Sequence, residues 1–214
     1  MTRFDRPVES VRGVVLAGGA STRFGAGDKA LASVGSQPVL RRIVDVLERS
    51  TDREPVIAVR TPDQQSRYAT VVPTNAQFVF DAPDHDGPLA GLVGSATALD
   101  SRWLFCCGCD MPLLAPLAVR WLLDQLCHEQ PVDAVAVEDP TGGLEPLHSV
   151  YRRESVLDCH LRLPRTAGPR MLLSELDTVV TISTADAPPH VPLEASSTNV
   201  NTREELDAIR NADP

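Results

Sequence analysis

VRGVVLAGGASTRFGAGDKAL, Val11 to Leu31, is the stretch around which the chain is organised. It opens on Val14-Val15-Leu16, an apolar run of the kind that makes a buried strand. The run breaks into Ala17-Gly18-Gly19, and a polar loop follows through Ser21, Thr22 and Arg23. Gly25 and Gly27 keep that loop open, and Asp28-Lys29 closes it. Glycines let backbone N–H groups approach an anion, because no Cβ stands in the way. Arg23 and Lys29 add positive charge beside them. Lys29 is the sole lysine; the other 19 basic residues are arginine. Read alone, the stretch also fits an ordinary turn between a strand and a helix. It matches neither G-x-x-x-x-G-K-[ST] nor G-x-G-x-x-G, since Gly18 and Gly19 are adjacent and the lysine lies ten residues on.

Outward from this loop, short apolar runs alternate with helical patterns. That alternation predicts βαβ units and a doubly wound α/β fold on a mainly parallel sheet. Strands are expected at 55–59, 77–80, 103–107, 132–137 and 179–182, and a short extended segment at 145–151. Helices are expected at 38–48, 62–71, 89–99, 115–129, 152–161 and 169–176. Small residues in the third of these, Ala90, Gly91, Gly94, Ser95 and Ala96, would let it lie close to the sheet or to a ligand. Thr202 and Glu205 form a capping box for a last helix. The 214 residues read as one domain, about 11–137 for one ligand and about 138–214 as a small lobe for a second.

Composition bounds the function. Hydrophobic residues make 43% and charged residues 23%, ordinary for a globular chain. No run of about 18 apolar residues exists to span a membrane, and MTRFDRPVES lacks the apolar centre of a signal peptide, so a cytoplasmic location is expected. The net charge of −9 argues against a nucleic-acid partner. Such an acidic, lysine-poor chain fits adaptation to high salt, where charge repulsion is screened, or an arginine-rich coding bias. The cysteines, Cys106, Cys107, Cys109, Cys127 and Cys159, form no paired C-x-x-C module, which favours buried thiols over structural zinc. The five histidines show no H-E-x-x-H spacing and receive no role.

In an open α/β sheet, ligands bind beyond the carboxyl ends of the strands. Gly18-Gly19, Asp81 and Asp110 each follow an expected strand. Asp110, in Cys109-Asp110-Met111-Pro112, could bind a hard cation such as Mg²⁺ through oxygen, or simply cap a turn. Asp81 precedes APDHDGP, a loop rich in turn formers, and could equally be a solvated loop residue.

Leu16 to Leu31 reads L-A-G-G-x-S-x-R-F-G-x-x-D-K-A-L. This resembles the signature of nucleotidyltransferases that build dinucleotide forms of molybdopterin. LAGG in particular resembles the molybdenum cofactor guanylyltransferase family, with Phe24 where that family usually has Met. Gly87-Pro88-Leu89-Ala90-Gly91 and the C-D-M-P block extend the resemblance, which runs from Val14 to Leu206. It implies transfer of GMP from GTP to a molybdopterin-bound molybdenum cofactor, with release of pyrophosphate. It also implies that Leu16, Ala17, Gly18 and Gly19 hold the nucleotide and that Arg23 and Lys29 bind its phosphates. Asp110 would bind Mg²⁺, and Asp81 would contact guanine. On the acceptor side it points to Glu145 and Pro146 of an E-P-L block, to Asn199 and Asn201 of an N-x-N-T block, and to Arg170 after Gly168. Arg165 could join Arg170 on a phosphate or stand in solvent. Proteins that deliver the cofactor, or molybdoenzymes that receive it, are the implied partners.

Two other readings stay open on the sequence. One keeps the chemistry and changes the base or acceptor: a cytidylyltransferase, or a guanylyltransferase for another phosphorylated cofactor precursor. The other is a nucleotide-binding regulator without catalysis, which would have no use for the metal-binding Asp110.

Overall fold

The computed structural model describes residues 10–19, 28–126, 131–138 and 142–212. Ser21, Thr22, Arg23, Phe24, Gly25 and Gly27 lie outside the described residues, as do Cys127, Thr141 and positions 127–129 of the helix expected to end at Glu129.

In chain order the elements are β1 (Val11–Leu16), β2 (Ser33–Val34), β3 (Gln37–Pro38), α1 (Val39–Glu48), β4 (Arg53–Val59), α2 (Pro62–Tyr68), β5 (Gln77–Phe80) and α3 (Pro88–Ala98). They continue with β6 (Trp103–Gly108), α4 (Pro116–Asp124), β7 (Ala134–Glu138), β8 (Leu144–Arg152), α5 (Arg153–Cys159), α6 (Pro169–Glu175), β9 (Val179–Ile182), α7 (Leu193–Ser196) and α8 (Arg203–Ala212). A seven-stranded sheet has the order β5-β4-β1-β6-β8-β7-β9. Every strand but β8 runs in one direction, so the sheet is mainly parallel, as the alternating pattern predicts.

Alternate residues of each strand point to opposite faces, and both faces are covered. Val15, Ile57, Phe105 and Val135 pack with Leu40, Ile43 and Leu47 of α1 and Val119 and Leu122 of α4. Val14, Val56, Leu104 and Ala136 pack with Leu89, Leu92 and Val93 of α3 and Leu172 of α6. This is the physical content of a doubly wound sheet. Helix α3 lies close because its glycines permit it: a Cβ on Gly94 would stand 2.2 Å from the Phe80 carbonyl oxygen.

From β1 the chain steps outward through β4 to β5, then returns by α3 to β6 on the other side of β1. That reversal opens a crevice at the carboxyl ends of β1 and β6.

The segment after Glu138 contains a surprise. The short extended piece expected at 145–151 is a nine-residue strand, β8, wedged antiparallel between β6 and β7. Its polar residues disguise it, because several of their polar atoms find partners inside the protein. The Ser149 hydroxyl donates to the Glu145 carbonyl at 2.6 Å, and His148 Nε2 lies 2.9 Å from the Ser196 hydroxyl. Against β7 the pairing jumps from Ala136–Ser149 to Val137–Glu145, so Pro146, Leu147 and His148 form a bulge. Bulges re-aim side chains near sites, and this one turns Leu147 into the crevice.

Candidate active site

The glycine turn is held from three directions. The Leu16 carbonyl accepts the Cys109 N–H at 3.2 Å, and the Ala17 N–H donates to the Ala58 carbonyl at 2.9 Å. Gly18 has no room for a side chain, since a Cβ there would stand 2.4 Å from Asp81 Oδ2. No described residue comes within 4 Å of the place that a Cβ on Gly19 would take. Gln64 donates from Nε2 to the carbonyls of Gly18 at 3.4 Å and Gly19 at 3.5 Å, while its Oε1 accepts the Arg60 N–H at 2.8 Å. The buried Tyr68 hydroxyl donates to Asp28 Oδ2 at 3.0 Å, and Asp28 Oδ1 accepts the Ala30 N–H at 3.1 Å. Asp28 is thus a pivot that presents Lys29.

Lys29 Nζ lies 2.7 Å from Asp110 Oδ2 and 3.5 Å from Asn201 Oδ1. Both members of the ion pair are largely shielded, with side chains 18% and 17% exposed. Asp110 Oδ1 is buried and has no partner among the described residues. Gly108 makes room for that oxygen, because a Cβ there would stand 2.3 Å from it. The Asp110 carbonyl accepts the Val200 N–H at 2.8 Å, which ties the N-x-N-T block to the end of β6. The capping box is present: Glu205 Oε2 accepts the Thr202 N–H at 3.0 Å, and the Glu205 N–H donates to Thr202 Oγ1 at 3.2 Å. Glu205 Oε2 also takes the Asn201 N–H at 2.6 Å. These backbone donors, Asn201 first, hold the Glu205 carboxyl below its usual range.

Asp81 follows β5, its side chain 10% exposed. Its Oδ2 lies 3.8 Å from Arg60 Nε, and its Oδ1 is buried without a partner among the described residues. Burial pushes this carboxyl above the usual range, and the Arg60 charge opposes the shift. An acceptor oxygen left open in a buried place is a position for a ligand N–H.

The remaining expected residues cluster a little apart. Glu145 accepts the Leu147 N–H at 2.9 Å through Oε1 and the Asn199 Nδ2 amide at 3.0 Å through Oε2. Burial raises the Glu145 carboxyl, against the pull of those two donors and of the Arg170 charge. Asn199 Oδ1 is buried and unpartnered among the described residues. The Pro146 carbonyl takes the Tyr151 hydroxyl at 2.8 Å, so it is engaged inside the protein. Arg165 is paired with Asp86, its Nε and Nη2 each 3.3 Å from a carboxylate oxygen. Cys106, Cys107, Cys109 and Cys159 are buried and unbridged, and burial pushes the Cys109 thiol up to about 12.

A cleft of about 460 Å³ gathers the first group. Leu16, Gly18, Gly19, Lys29, Asp81, Asp110 and Asn201 line it. Ala17, Glu145, Pro146, Asn199 and Arg170 are not among its walls. Sequence reasoning passed over Gln64 and Tyr68 because their partners lie 40 or more residues away.

Residues 13–179 match the model of the MobA-like NTP transferase domain. The chain belongs to this family. A probable molybdenum cofactor guanylyltransferase of Natronomonas pharaonis is 33% identical over 78% of this chain and 82% of its own. A molybdenum cofactor guanylyltransferase of Desulfosudis oleivorans is 30% identical over 94% of each. The crystal structure of molybdopterin-guanine dinucleotide biosynthesis protein A from Archaeoglobus fulgidus superposes with a TM-score of 0.74, covering 94% of this chain and 97% of that one, at 18% identity. The last comparison bears on the fold alone. In a doubly wound sheet, the crevice at such a reversal of strand order is where ligands bind.

Proposed function

We propose that this MobA-like transferase moves GMP from GTP to a molybdopterin-bound molybdenum cofactor and releases pyrophosphate. The observation that carries the reading is the meeting of Lys29 and Asp110 at 2.7 Å in the cleft that also holds the open Oδ1 of Asp81. One cleft then offers a cation for phosphates, a carboxylate for a metal and an acceptor for a base.

The backbone of Leu16, Ala17, Gly18 and Gly19 cradles the nucleotide. Lys29 binds the phosphates, with Arg23 as a second cation. Asp81 accepts from the N1–H and 2-amino group of guanine, two donors on one edge that cytosine lacks. That favours GTP over CTP.

Among the described residues no three His, Cys, Asp or Glu side chains are grouped to hold a metal. A single carboxylate with an open oxygen, Asp110 Oδ1, still fits Mg²⁺, which takes one or two carboxylates and completes its shell with water and phosphate. When bound, that ion would neutralise charge on the reacting phosphoryl oxygens. The acceptor's phosphate is already ionised at neutral pH, so no strong protein base is needed. The chain's own part is to align the two substrates and shield charge. Glu145 and Asn199, with Pro146, Asn201 and Arg170, form the acceptor side, where amides bind without adding charge beside a triphosphate. Delivery to or from other proteins of molybdenum enzymes belongs to the same reading. No helix among the described residues is long and apolar enough to cross a membrane.

The deciding measurement is pyrophosphate release with GTP and molybdenum cofactor, with and without Mg²⁺. Release that needs all three is expected. Equal rates with CTP, or release without the acceptor, would reject the assignment.

A further inference from the structure

The loop 82–86 separates Asp81 from Gly87 and Pro88, all three of which line the cleft. It carries polar turn formers, yet His85 is only 5% exposed. The loop is fastened to the segment that follows α5. His85 Nε2 lies 3.1 Å from His160 Nδ1, with the rings edge to face at 5.3 Å between centroids. The Asp86 N–H donates to the Arg165 carbonyl at 2.9 Å, and the Asp86–Arg165 ion pair closes the same junction.

The tautomers follow from the partners. His85 Nδ1 is buried and has no partner among the described residues. A buried N–H without an acceptor costs more than a bare lone pair. The His85 N–H therefore belongs on Nε2, where it points at His160, and Nδ1 is the bare nitrogen. His160 Nδ1 must be the acceptor, and its own N–H is on Nε2. The bond is directional, and His160 is the member that fixes the loop from outside it.

We infer that His160 is a positioning residue for base selection: it accepts a hydrogen bond from His85 and so holds the loop that sets where the Asp81 carboxylate stands. Asp81 begins this loop and Gly87, at φ +66°, ends it. Loosening the middle lets the carboxylate drift from the base edge. The inference rests on the reading of Asp81 as the guanine contact.

The test compares kcat/KM for GTP and for ITP, which lacks the 2-amino group. It uses the full chain and the variants H160A, H160N and D81A, with melting temperatures alongside. In H160N the amide oxygen can stand where Nδ1 stood and accept the same bond. H160A should lower the GTP-to-ITP ratio about threefold to tenfold, the worth of one hydrogen bond. The loss should fall on KM more than on kcat, and H160N should recover most of it. An unchanged ratio in H160A, while D81A lowers it, overturns the inference and leaves the guanine contact standing. A ratio unmoved in D81A as well removes both. Equal losses with GTP and ITP that H160N does not recover would make His160 structural only, and would overturn the inference too.

Discussion

At the scale of single residues, the site works with groups held in costly states. Asp81 is a buried carboxylate with an open oxygen, so burial favours its protonated form. A carboxyl raised in the folded state binds protons that the unfolded chain has already released. Folding stability therefore falls as pH rises from the ordinary carboxylate range to the raised value. D81N removes that charge and should raise the melting temperature by about 2–4 °C at pH 7, as about 1 kcal/mol does for a chain of this size. Arg60 loses its partner at little cost, being 51% exposed. In the same variant, discrimination of GTP from ITP should drop by roughly tenfold to a hundredfold, since hydrogen bonds to a charged group are worth about 1.5–3 kcal/mol each. Scanning calorimetry and competition kinetics read the two effects separately; a variant both less stable and equally selective would contradict the role. Lys29 is different, because it stands beside the reacting phosphates in the proposed reaction. K29M should reduce kcat by about 10²–10³, the usual effect of removing one preorganised charge from a transition state, measured as pyrophosphate release at saturating GTP. A loss confined to KM would show that the lysine binds without assisting.

At the scale of elements, α3 shows how closely the fold and the site are joined. Gly94→Ala gains up to about 1 kcal/mol in helix propensity. Against that, the new methyl meets the Phe80 carbonyl at 2.2 Å, and backbone does not yield as a side-chain tip would. Overpacking of this kind costs about 1–3 kcal/mol and should win. G94A should lower the urea midpoint, and it should raise KM for GTP because Phe80 immediately precedes Asp81. An unchanged midpoint would mean that α3 can slide outward at no cost. The elements readable from sequence share one property. Val14-Val15-Leu16 and Trp103-Leu104-Phe105 are runs buried on both faces of a parallel sheet, short, apolar and bounded by turn formers. Strand β8 reads from sequence only as a short extended segment, because Glu145, His148 and Ser149 are polar and their partners, such as Ser196, are brought to them by the fold. The same divide runs through the site. Asp81 and Asp110 could be placed at the rim of the cleft because each follows an apolar run, and Lys29 because it is the sole lysine and closes the glycine loop. Gln64, Tyr68 and the His85–His160 contact could not, because each is a relation between distant segments. The Arg165–Asp86 pair belongs with them: from sequence, Arg165 could equally serve a phosphate or stand in solvent.

At the scale of the whole molecule, the buried polar groups set the response to acid. His148 is fully buried beside Phe105, and burial pushes its imidazole down from 6.5 to about 4. Between those values the unfolded chain binds a proton that the folded one refuses, so stability is complete above pH 6.5 and declines as pH falls towards 4. The decline amounts to roughly 3 kcal/mol, at about 1.4 kcal/mol per pH unit. Asp81 and Glu145 act with the opposite slope, so the comparison has to be with H148Q in parallel. The difference between the two stability curves should flatten below pH 4 and above 6.5; a constant difference across the range would show that His148 takes up its proton in place. Strand β8 has a consequence for how such an enzyme can change its acceptor. In the proposed division of the chain this strand carries acceptor-side residues, and it is threaded between β6 and β7 next to the middle of the sheet. The two parts would then not exchange like cassettes between relatives. A new acceptor would be acquired in the bulge and the connecting loops, one substitution at a time, with the hydrogen-bonded ladder left intact.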